Sequence, residues 1–326
     1  MAEKLYREAI QEALREEMLR DENLLLIGED IGLYGGAYGA TKGLFDEFGE
    51  DRVRDTPISE MVIAGAAVGA SMCGCRVVAE IMYEDFLTLS MDQLCNQGAK
   101  NRYMFGGHTT VPMVLRTEGG AGRCIAAQHS QSIESLFMHI PGLLMVAPST
   151  PYDVKGLLKT AIREDDPILF IEHKMLYGNK GEVPDDEELL IPLGKAAVRR
   201  QGNDVTMVSY SRMALRAQEA AEELAGKGIE ADVIDLRSLK PLDIETVLAS
   251  VAKTGRLVLL SEGCKNNNLV CEIAMRVNEF GFDYLDAPML RICAANTPVP
   301  MSPTLEDAMI PNVDRIVAEV TEYLGA

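Results

Sequence analysis

Short runs of consecutive apolar residues alternate along the first half of the chain with longer segments in which apolar residues recur every three or four positions. The short runs are typical of strands buried on both faces of a sheet, and the longer segments are typical of helices. The predicted strands are NLLLIGEDI (23–31), RVVAEIMY (76–83), VPMVLRT (111–117), GLLMVAPS (142–149) and PILFIEH (167–173). The predicted helices between them are IAGAAVGASMCG (63–74), DFLTLSMDQLCNQGAKNRY (85–103) and PYDVKGLLKTAIRE (151–164). This alternation predicts βαβ units.

The alternation stops after His173 and starts again after Gly194. The segment between them contains glycines, prolines and an acidic run, which is typical of a connection rather than of a regular element. A second series of apolar strands and helical segments follows it. We therefore predict an α/β protein of two domains with largely parallel sheets, at residues 1–185 and 194–326, joined by a linker at 186–193.

Composition and charge exclude several classes of function. The 326 residues include 50 acidic and 31 basic side chains, for a formal net charge of -19. The sequence has no basic stripe of the kind that binds nucleic acid, and no apolar run reaches the 18 or more residues that span a membrane. The 7 cysteines form neither an even disulfide framework nor pairs at zinc spacing. We expect a cytoplasmic protein that binds neither nucleic acid nor membrane.

The segment DTPISEMVIAGAAVGAS (55–71) places one acid, Glu60, at the head of a long run without charged residues. An acid in the first turn of a helix complements the helix dipole, and Thr56 or Ser59 could cap that helix, so this interpretation needs no ligand. It leaves unexplained the glycines and alanines spaced four apart, which permit close approach of another helix. A carboxylate in such a crowded place is poorly solvated unless a bound donor satisfies it.

A single histidine, His129, lies in the glycine-rich segment EGGAGRCIAAQHSQS (118–132), after a predicted strand. Ligands of parallel sheets bind beyond the carboxyl ends of the strands, and imidazole titrates near neutral pH. A role in proton transfer therefore competes with a purely structural one. A second glycine-rich segment, GLYGGAYGATKG (32–43), fits neither common phosphate-binding pattern and is interpreted as a flexible loop.

Six segments together resemble one known family. They are GEDIG, DTPISE, DQLCNQGAKNRYMFGG, RTEGGAGRCIAAQHSQS, IPGLLMVAPSTPYDVKGLLKTAIREDDP and DLRSLKPLD. The chain resembles the β subunits of the thiamine-diphosphate-dependent first component of 2-oxo-acid dehydrogenase complexes, and among them the pyruvate and acetoin dehydrogenase subunits. The resemblance covers nearly the whole chain. It implies a transketolase-like pyrimidine-binding domain followed by a transketolase C-terminal-like domain.

The resemblance implies roles for three residues. Glu60 matches the glutamate that hydrogen-bonds the aminopyrimidine ring of thiamine diphosphate, so that the imino form of the ring can remove the proton from the thiazolium carbon. Phe86, in YEDF, matches an aromatic residue that packs near the pyrimidine. His129, in QHSQ, matches a histidine at the entrance to the reactive carbon and is expected to assist acyl transfer to a lipoyl group.

The resemblance also raises the question of a potassium ion, because some relatives bind one at a turn that corresponds to AIREDDP. The ligands are mostly backbone carbonyl groups, so side-chain identity is a poor test. The matching positions are Met113, Ala161, Ile162, Glu164 and Asp166.

One family motif is absent from this sequence. Thiamine enzymes bind the diphosphate through magnesium with a G-D-G motif and a later asparagine, and the chain contains no G-D-G. The resemblance therefore implies that an α subunit holds magnesium and the diphosphate, in an α2β2 heterotetramer with the cofactor shared between subunits. The acidic charge would suit the basic binding domain of the lipoyl acyltransferase core of the complex.

The implied activity is oxidative decarboxylation of pyruvate with transfer of the acetyl group to lipoamide. Cleavage of acetoin with the same cofactor is the alternative within the enzyme class. A noncatalytic scaffold subunit that binds partners through its acidic surface is the alternative from another class. The presence of Glu60, Phe86 and His129 argues against the scaffold.

Overall fold

The computed structural model describes residues 1–325, and its backbone divides into two compact units. The first unit contains Met1–Gly119 and Leu136–Leu193. The second contains Gly120–Ser135 and the chain from Gly194 onward. None of the helices within residues 1–325 has the length and apolar character needed to cross a membrane.

The first unit alternates strands and helices in chain order. Its elements are β1 (Ala2–Leu5), α1 (Tyr6–Arg20), β2 (Leu24–Gly28), α2 (Leu44–Phe48), β3 (Val53–Asp55), α3 (Glu60–Met72), β4 (Arg76–Ile81), a 3-10 helix (Glu84–Ser90), a π-helix (Gln93–Gly98), α4 (Ala99–Met104), β5 (Met113–Gly119), α5 (Ser135–Met138), β6 (Leu144–Val146), α6 (Pro151–Arg163), β7 (Ile168–His173) and β8 (Lys180–Val183).

Six strands of this unit form a parallel sheet in the order β6-β7-β5-β4-β2-β3. Every residue of β5 and β7 is buried, which agrees with the apolar residues that begin each strand, and the charged residues Arg116, Glu118 and Glu172 are buried with them. The short strands β1 and β8 pair separately and antiparallel. Because all six strands run in one direction, their carboxyl ends lie along one edge of the sheet, and the candidate site residues of this unit follow that edge.

The second unit has its own sheet. Its elements are β9 (Ala197–Arg200), β10 (Val205–Ser209), α7 (Ser211–Ala225), β11 (Ala231–Asp235), β12 (Ser238–Lys240), α8 (Ile244–Thr254), β13 (Leu257–Cys264), α9 (Leu269–Gly281), a 3-10 helix (Phe282–Tyr284), β14 (Leu290–Ala294), α10 (Pro303–Met309) and α11 (Val313–Leu324). The sheet order is β14-β13-β10-β11-β9, and only the edge strand β9 runs antiparallel. The apolar faces of α7 and α11 form one core with the strands.

The predicted class, two α/β units with largely parallel sheets, is confirmed. The unit boundaries differ from the predicted domains in two respects. Residues 120–135 group with the second unit, although they lie inside the predicted first domain. The predicted linker at 186–193 packs into the first unit, where Leu189 and Ile191 are buried and the Ile191 N–H donates to the Gly156 carbonyl group.

The single helix predicted for residues 85–103 is instead three short helical pieces. A 3-10 helix is followed by a π-helix and then by α4. Apolar spacing alone cannot distinguish these forms, since a π-turn adds only one residue to an otherwise helical path.

Gly142, between α5 and β6, is a position where the fold requires glycine. Its φ is +87°, and a β-carbon built there would lie 1.9 Å from the Ala99 carbonyl oxygen. Gly107 also has a positive φ of +84°, but nothing lies within 4 Å of its added β-carbon. Alanine substitutions at the two glycines would therefore separate the cost of backbone strain from the cost of a steric clash.

We expect Gly142→Ala to lower the free energy of unfolding by about 3 kcal/mol, because strain and overpacking act together. Gly107→Ala should lower it by only about 1 kcal/mol, since strain acts alone. Thermal and urea unfolding of the two variants beside the parent chain would measure both effects. Equal losses in the two variants would contradict the steric argument.

Candidate active site

Glu60 lies at the first turn of α3, beyond the carboxyl ends of two neighbouring strands. The parallel pairing of β2 and β3 sets Gly28 beside Asp55, and the Thr56 N–H then donates to the Gly28 carbonyl group over 2.9 Å. This bond brings the chain around the edge of the sheet before α3 begins. Glu60 is consequently half-buried at the sheet edge.

The capping interpretation of this segment is not supported by the contacts. Ser59 is the N-cap residue of α3, but its side chain makes no capping bond, and its hydroxyl donates to the Pro57 carbonyl oxygen instead. The Thr56 hydroxyl is buried and has no hydrogen-bond partner among residues 1–325. Within residues 1–325, no group donates a hydrogen bond to the Glu60 carboxylate or forms an ion pair with it. The dipole of α3 remains a favourable influence on this carboxylate.

A second acid, Glu29, lies near Glu60 and was not predicted as a site residue. It follows β2 directly and is only 8% exposed. Burial raises the pKa of its carboxyl group, the negative charge of Glu60 raises it further, and a hydrogen bond from the Ser59 backbone opposes both. One of its oxygens, Oε1, is buried without a hydrogen-bond partner in the part of the chain that the structure describes. The GEDIG motif was the available signal, but no role could be attached to its acid from the sequence alone.

These unsatisfied polar atoms indicate what the site could hold. Unpaired buried acceptors are costly in proteins unless a donor reaches them. Glu29 and Glu60 can accept hydrogen bonds, and Thr56 can accept or donate one. An aminopyrimidine ring presents N–H donors and a ring nitrogen, so this group of residues fits the pyrimidine of thiamine diphosphate.

Phe86 lies in the same unit, in the 3-10 helix that follows β4. Its N–H donates to the Tyr83 carbonyl group, and the two rings meet edge to face with centroids 6.3 Å apart. Tyr83 has a positive φ of 69°, and its N–H donates to the Glu118 carboxylate over 3.1 Å. The Lys174 ammonium group lies 5.2 Å from the centre of the Tyr83 ring. The turn before Phe86 is thus held by groups from the ends of β5 and β7.

A buried ionic network occupies the same edge of the sheet. The Arg116 guanidinium on β5 donates to Glu80 on β4 and to both carboxylate oxygens of Glu172 on β7, over 2.7–3.0 Å. The Tyr177 hydroxyl also donates to Glu172. Glu118 is the third acid of this edge, and burial, together with the charges of Glu80 and Glu172, raises its pKa well above the ordinary value. Sequence reasoning did not detect this network, because its members lie far apart along the chain.

His129 belongs to the second unit, in the segment 120–135. It is half-buried, and its backbone N–H donates to the Ala126 carbonyl group over 3.4 Å. Residues 120–134 form neither helix nor strand. The segment also carries Glu134, which is 6% exposed. Burial, and then the charge of Glu262, raise the pKa of Glu134 to about 7.

The five residues matched to a potassium site lie at β5 and at the end of α6. The Arg76 guanidinium donates to the carbonyl oxygens of Ile162 and Glu164, over 3.1 and 2.7 Å, and pairs with Asp165. The Ala161 carbonyl group accepts the Glu164 N–H. Since a cationic side chain already contacts two of the expected ligands, this arrangement does not fit a potassium ion well. The site at Met113, Ala161, Ile162, Glu164 and Asp166 stays a prediction.

The two sheets and the acids at the edge of the first define an α/β protein of the transketolase class. Residues 2–180 match the transketolase pyrimidine-binding domain, and residues 194–316 match the transketolase C-terminal domain. A solved structure titled "Split gene transketolase, inactive beta4 tetramer" superposes with a TM-score of 0.80 at 22% identity, covering 98% of each chain. That structure supports the fold alone.

Two curated relatives indicate which proteins of the transketolase class this chain is most usefully compared with. The chain is 50% identical to the acetoin:2,6-dichlorophenolindophenol oxidoreductase subunit beta of Bacillus subtilis, over 98% of this chain and 96% of that one. It is 45% identical to the pyruvate dehydrogenase E1 component subunit beta of Rhizobium meliloti, over 98% of this chain and 70% of that one. The chain belongs to the transketolase-like family of dehydrogenase β subunits that these relatives represent. The predicted family is therefore confirmed, and membership implies dependence on thiamine diphosphate.

We expect Glu134 to make stability depend on pH near neutrality. Its folded pKa of about 7 lies above the ordinary value of 4.5, so the folded chain holds a proton that the unfolded chain releases. Stability should fall as pH rises from about 4.5 to 7, by about 2–3 kcal/mol from this group. Glu134→Gln, which is neutral at every pH, should remove that part of the decline.

Urea unfolding of the parent chain and the variant between pH 4.5 and 8 would measure this difference. Glu279→Gln is the matched control, because Glu279 is an exposed acid on α9 of the same unit. It should keep the pH dependence of the parent. A Glu134→Gln variant with an unchanged pH profile would show that Glu134 titrates normally.

Proposed function

We propose that this chain is the β subunit of a thiamine-diphosphate-dependent dehydrogenase component that decarboxylates pyruvate oxidatively and transfers the acetyl group to a lipoyl group. The observation that supports this best lies at the start of α3, where the buried Glu29 Oε1 and Thr56 hydroxyl have no hydrogen-bond partner in the described chain and the half-buried Glu60 carboxylate lies near them. These atoms lack donors within the described chain, and an aminopyrimidine supplies donors of the right kind. The family of the chain uses that cofactor.

Thiamine diphosphate, when bound, supplies a carbon nucleophile that also accepts electrons from the substrate. Glu60 accepts a hydrogen bond from the pyrimidine ring and so holds a proton at that nitrogen. Burial and the charge of Glu60 raise the pKa of Glu29, which favours its neutral form and lets two acids share a small volume. Phe86 offers the ring an apolar contact, and its position is fixed through Tyr83.

His129 is proposed to act on the acyl group and on the lipoyl group that receives it. A half-buried imidazole can donate a hydrogen bond to an acyl oxygen or pass a proton to a leaving thiolate. This would assist acetyl transfer to the lipoyl group of an acyltransferase core. The low polarity of a closed site strengthens such interactions.

The diphosphate and its magnesium ion are proposed to be held by an α subunit, because the magnesium motif is absent from this sequence. The names of the relatives as β subunits support a partner chain. We propose the assembly to be α2β2, located in the cytoplasm. The charge of -19 would favour association with a basic domain of the acyltransferase core.

Acetoin is the second candidate substrate, and the relatives favour it. Two acetoin oxidoreductase β subunits, from Bacillus subtilis and Cupriavidus necator, are each 50% identical to this chain, against 45% for the pyruvate enzyme of Rhizobium meliloti. Purification of the chain with its α subunit, followed by dichlorophenolindophenol reduction with pyruvate or acetoin, would separate the two. Reduction with neither substrate by the assembled, cofactor-loaded protein would overturn the proposed activity.

We expect Glu60→Gln to slow proton exchange at the thiazolium carbon on the order of 100-fold or more, because a neutral amide cannot replace the carboxylate at the ring nitrogen. Deuterium exchange of the bound cofactor, followed by NMR, measures this step directly. Glu50→Gln, which changes an exposed acid of the same unit, should leave the exchange rate unchanged. Normal exchange in an assembled Glu60→Gln protein would remove Glu60 from the proposed role.

We expect His129→Ala to reduce lipoyl-dependent turnover roughly 100-fold, as is typical for loss of a general acid or base. Proton exchange at the thiazolium carbon should stay near normal, since that step is assigned to Glu60. His108→Ala, which removes an exposed histidine of the first unit, serves as control. Unchanged acetyl transfer in the His129 variant would return this residue to a structural role.

A further inference from the structure

The segment that carries His129 is strained. Cys124 has a φ of +57° and Ala126 a φ of +66°, and neither residue is glycine. Non-glycine residues adopt this conformation at a cost and persist in it only where surrounding contacts impose it. Some other part of the second unit must therefore hold the segment in place.

Two buried acids supply those contacts. Glu306 on α10 is 4% exposed, and its carboxylate accepts the N–H groups of Gly122 and Cys124 over 2.9 and 3.1 Å. The Cys124 thiol donates to the same carboxylate over 3.2 Å. Glu262, near the end of β13, accepts the Ala121 N–H over 2.5 Å.

The backbone of residues 121–124 resembles an anion-binding turn whose anion site is already occupied. Backbone N–H groups that converge in a glycine-rich turn form a site for an anion, such as a phosphate group. In this chain the anion is a carboxylate from the same unit. Arg212 on α7 completes the arrangement, because its guanidinium donates to the Ala121 carbonyl oxygen over 3.2 Å. Glu306, Glu262 and Arg212 therefore form a structural clamp that holds residues 121–124 in place.

The clamp is connected to His129 through the backbone. Cys124 is fixed by Glu306, and Ala126 accepts the His129 N–H two residues later. On the far side of His129, the Gln131 carbonyl group accepts the Gly120 N–H over 2.9 Å and closes the loop. His129 thus lies between two fixed points, and the carboxylate of Glu306 determines the first of them.

We propose that Glu306 is a positioning residue for acyl transfer, which fixes the backbone of residues 122–124 and through it the orientation of His129. This inference rests on the proposed role of His129. Glu306 itself contacts the backbone and Cys124, so it acts through the loop. Displacement of a reacting group by about 1 Å can reduce a rate roughly 100-fold, so a loosened loop would be readily measured.

The test uses the chain assembled with its α subunit and loaded with thiamine diphosphate. Glu306→Gln replaces one acceptor oxygen with an amide nitrogen that faces N–H donors. One of the hydrogen bonds that hold residues 122–124 is therefore lost. We expect lipoyl-dependent acetyl transfer to fall roughly 10- to 100-fold. Proton exchange at the thiazolium carbon should change less than about twofold, because Glu60 is untouched.

Asp307→Asn is the matched control. Asp307 is the exposed neighbour of Glu306 on α10, and both acids line the same small cavity of about 190 Å³. The substitution removes one negative charge there without touching the loop, and transfer should stay normal. Glu306→Asp is a second variant that keeps the charge but shortens the side chain, and it should lose transfer as well.

The outcomes separate the inference from the proposed function. Normal transfer in assembled Glu306→Gln or Glu306→Asp, beside a slow His129→Ala variant, would overturn the positioning role and leave the function standing. Equal slowing in Asp307→Asn would also overturn it, since charge rather than the clamp would then be responsible. If Glu306→Gln fails to assemble, the Glu306→Asp result decides. Normal transfer in His129→Ala would return His129 to a structural role and overturn the inference with it, whereas the proposed function itself fails only if the assembled protein reduces the dye with neither pyruvate nor acetoin.

Discussion

The fold of the first unit places several acids at one edge of a parallel sheet, and the burial of those acids is the constraint on which the site depends. Arg116 satisfies Glu80 and Glu172, and it links three neighbouring strands. A buried ion pair of this kind contributes little net stability, but loss of one partner would leave an uncompensated charge. The remaining acids, Glu29 and Glu60, lack such a cation within the described chain, and this absence makes them candidates for a ligand.

In each unit, a buried acid accepts the N–H group of a strained residue near a candidate site residue. In the first unit, Tyr83 has a positive φ, and its N–H is accepted by buried Glu118 three residues before Phe86. In the second unit, Cys124 has a positive φ, and its N–H is accepted by buried Glu306 five residues before His129. A buried N–H group that lost such an acceptor would be left unsatisfied, at a cost of about 1–3 kcal/mol. Carboxylates are therefore suited to impose a conformation that the side chain disfavours.

Apolar patterning was sufficient to predict two α/β units with largely parallel sheets, because strands buried on both faces leave a long continuous signal. It could not place residues 120–135 with the second unit, since the contacts of Glu262 and Glu306 with that segment join residues more than 140 positions apart. Motif resemblance identified Glu60, Phe86 and His129. It did not identify Glu29, Glu118 or Glu306, because an isolated acid in a sequence carries no sign of burial.

Burial explains why these acids differ in function although they are chemically alike. Glu306 accepts two backbone N–H groups and the Cys124 thiol, so its contacts lie within the chain and it serves to fix the loop. An acid buried beside another acid, as Glu29 is beside Glu60, is pushed toward its neutral form. The donors around each carboxyl group therefore distinguish Glu306, whose contacts hold a loop, from Glu29, which keeps one buried oxygen without a donor in the described chain.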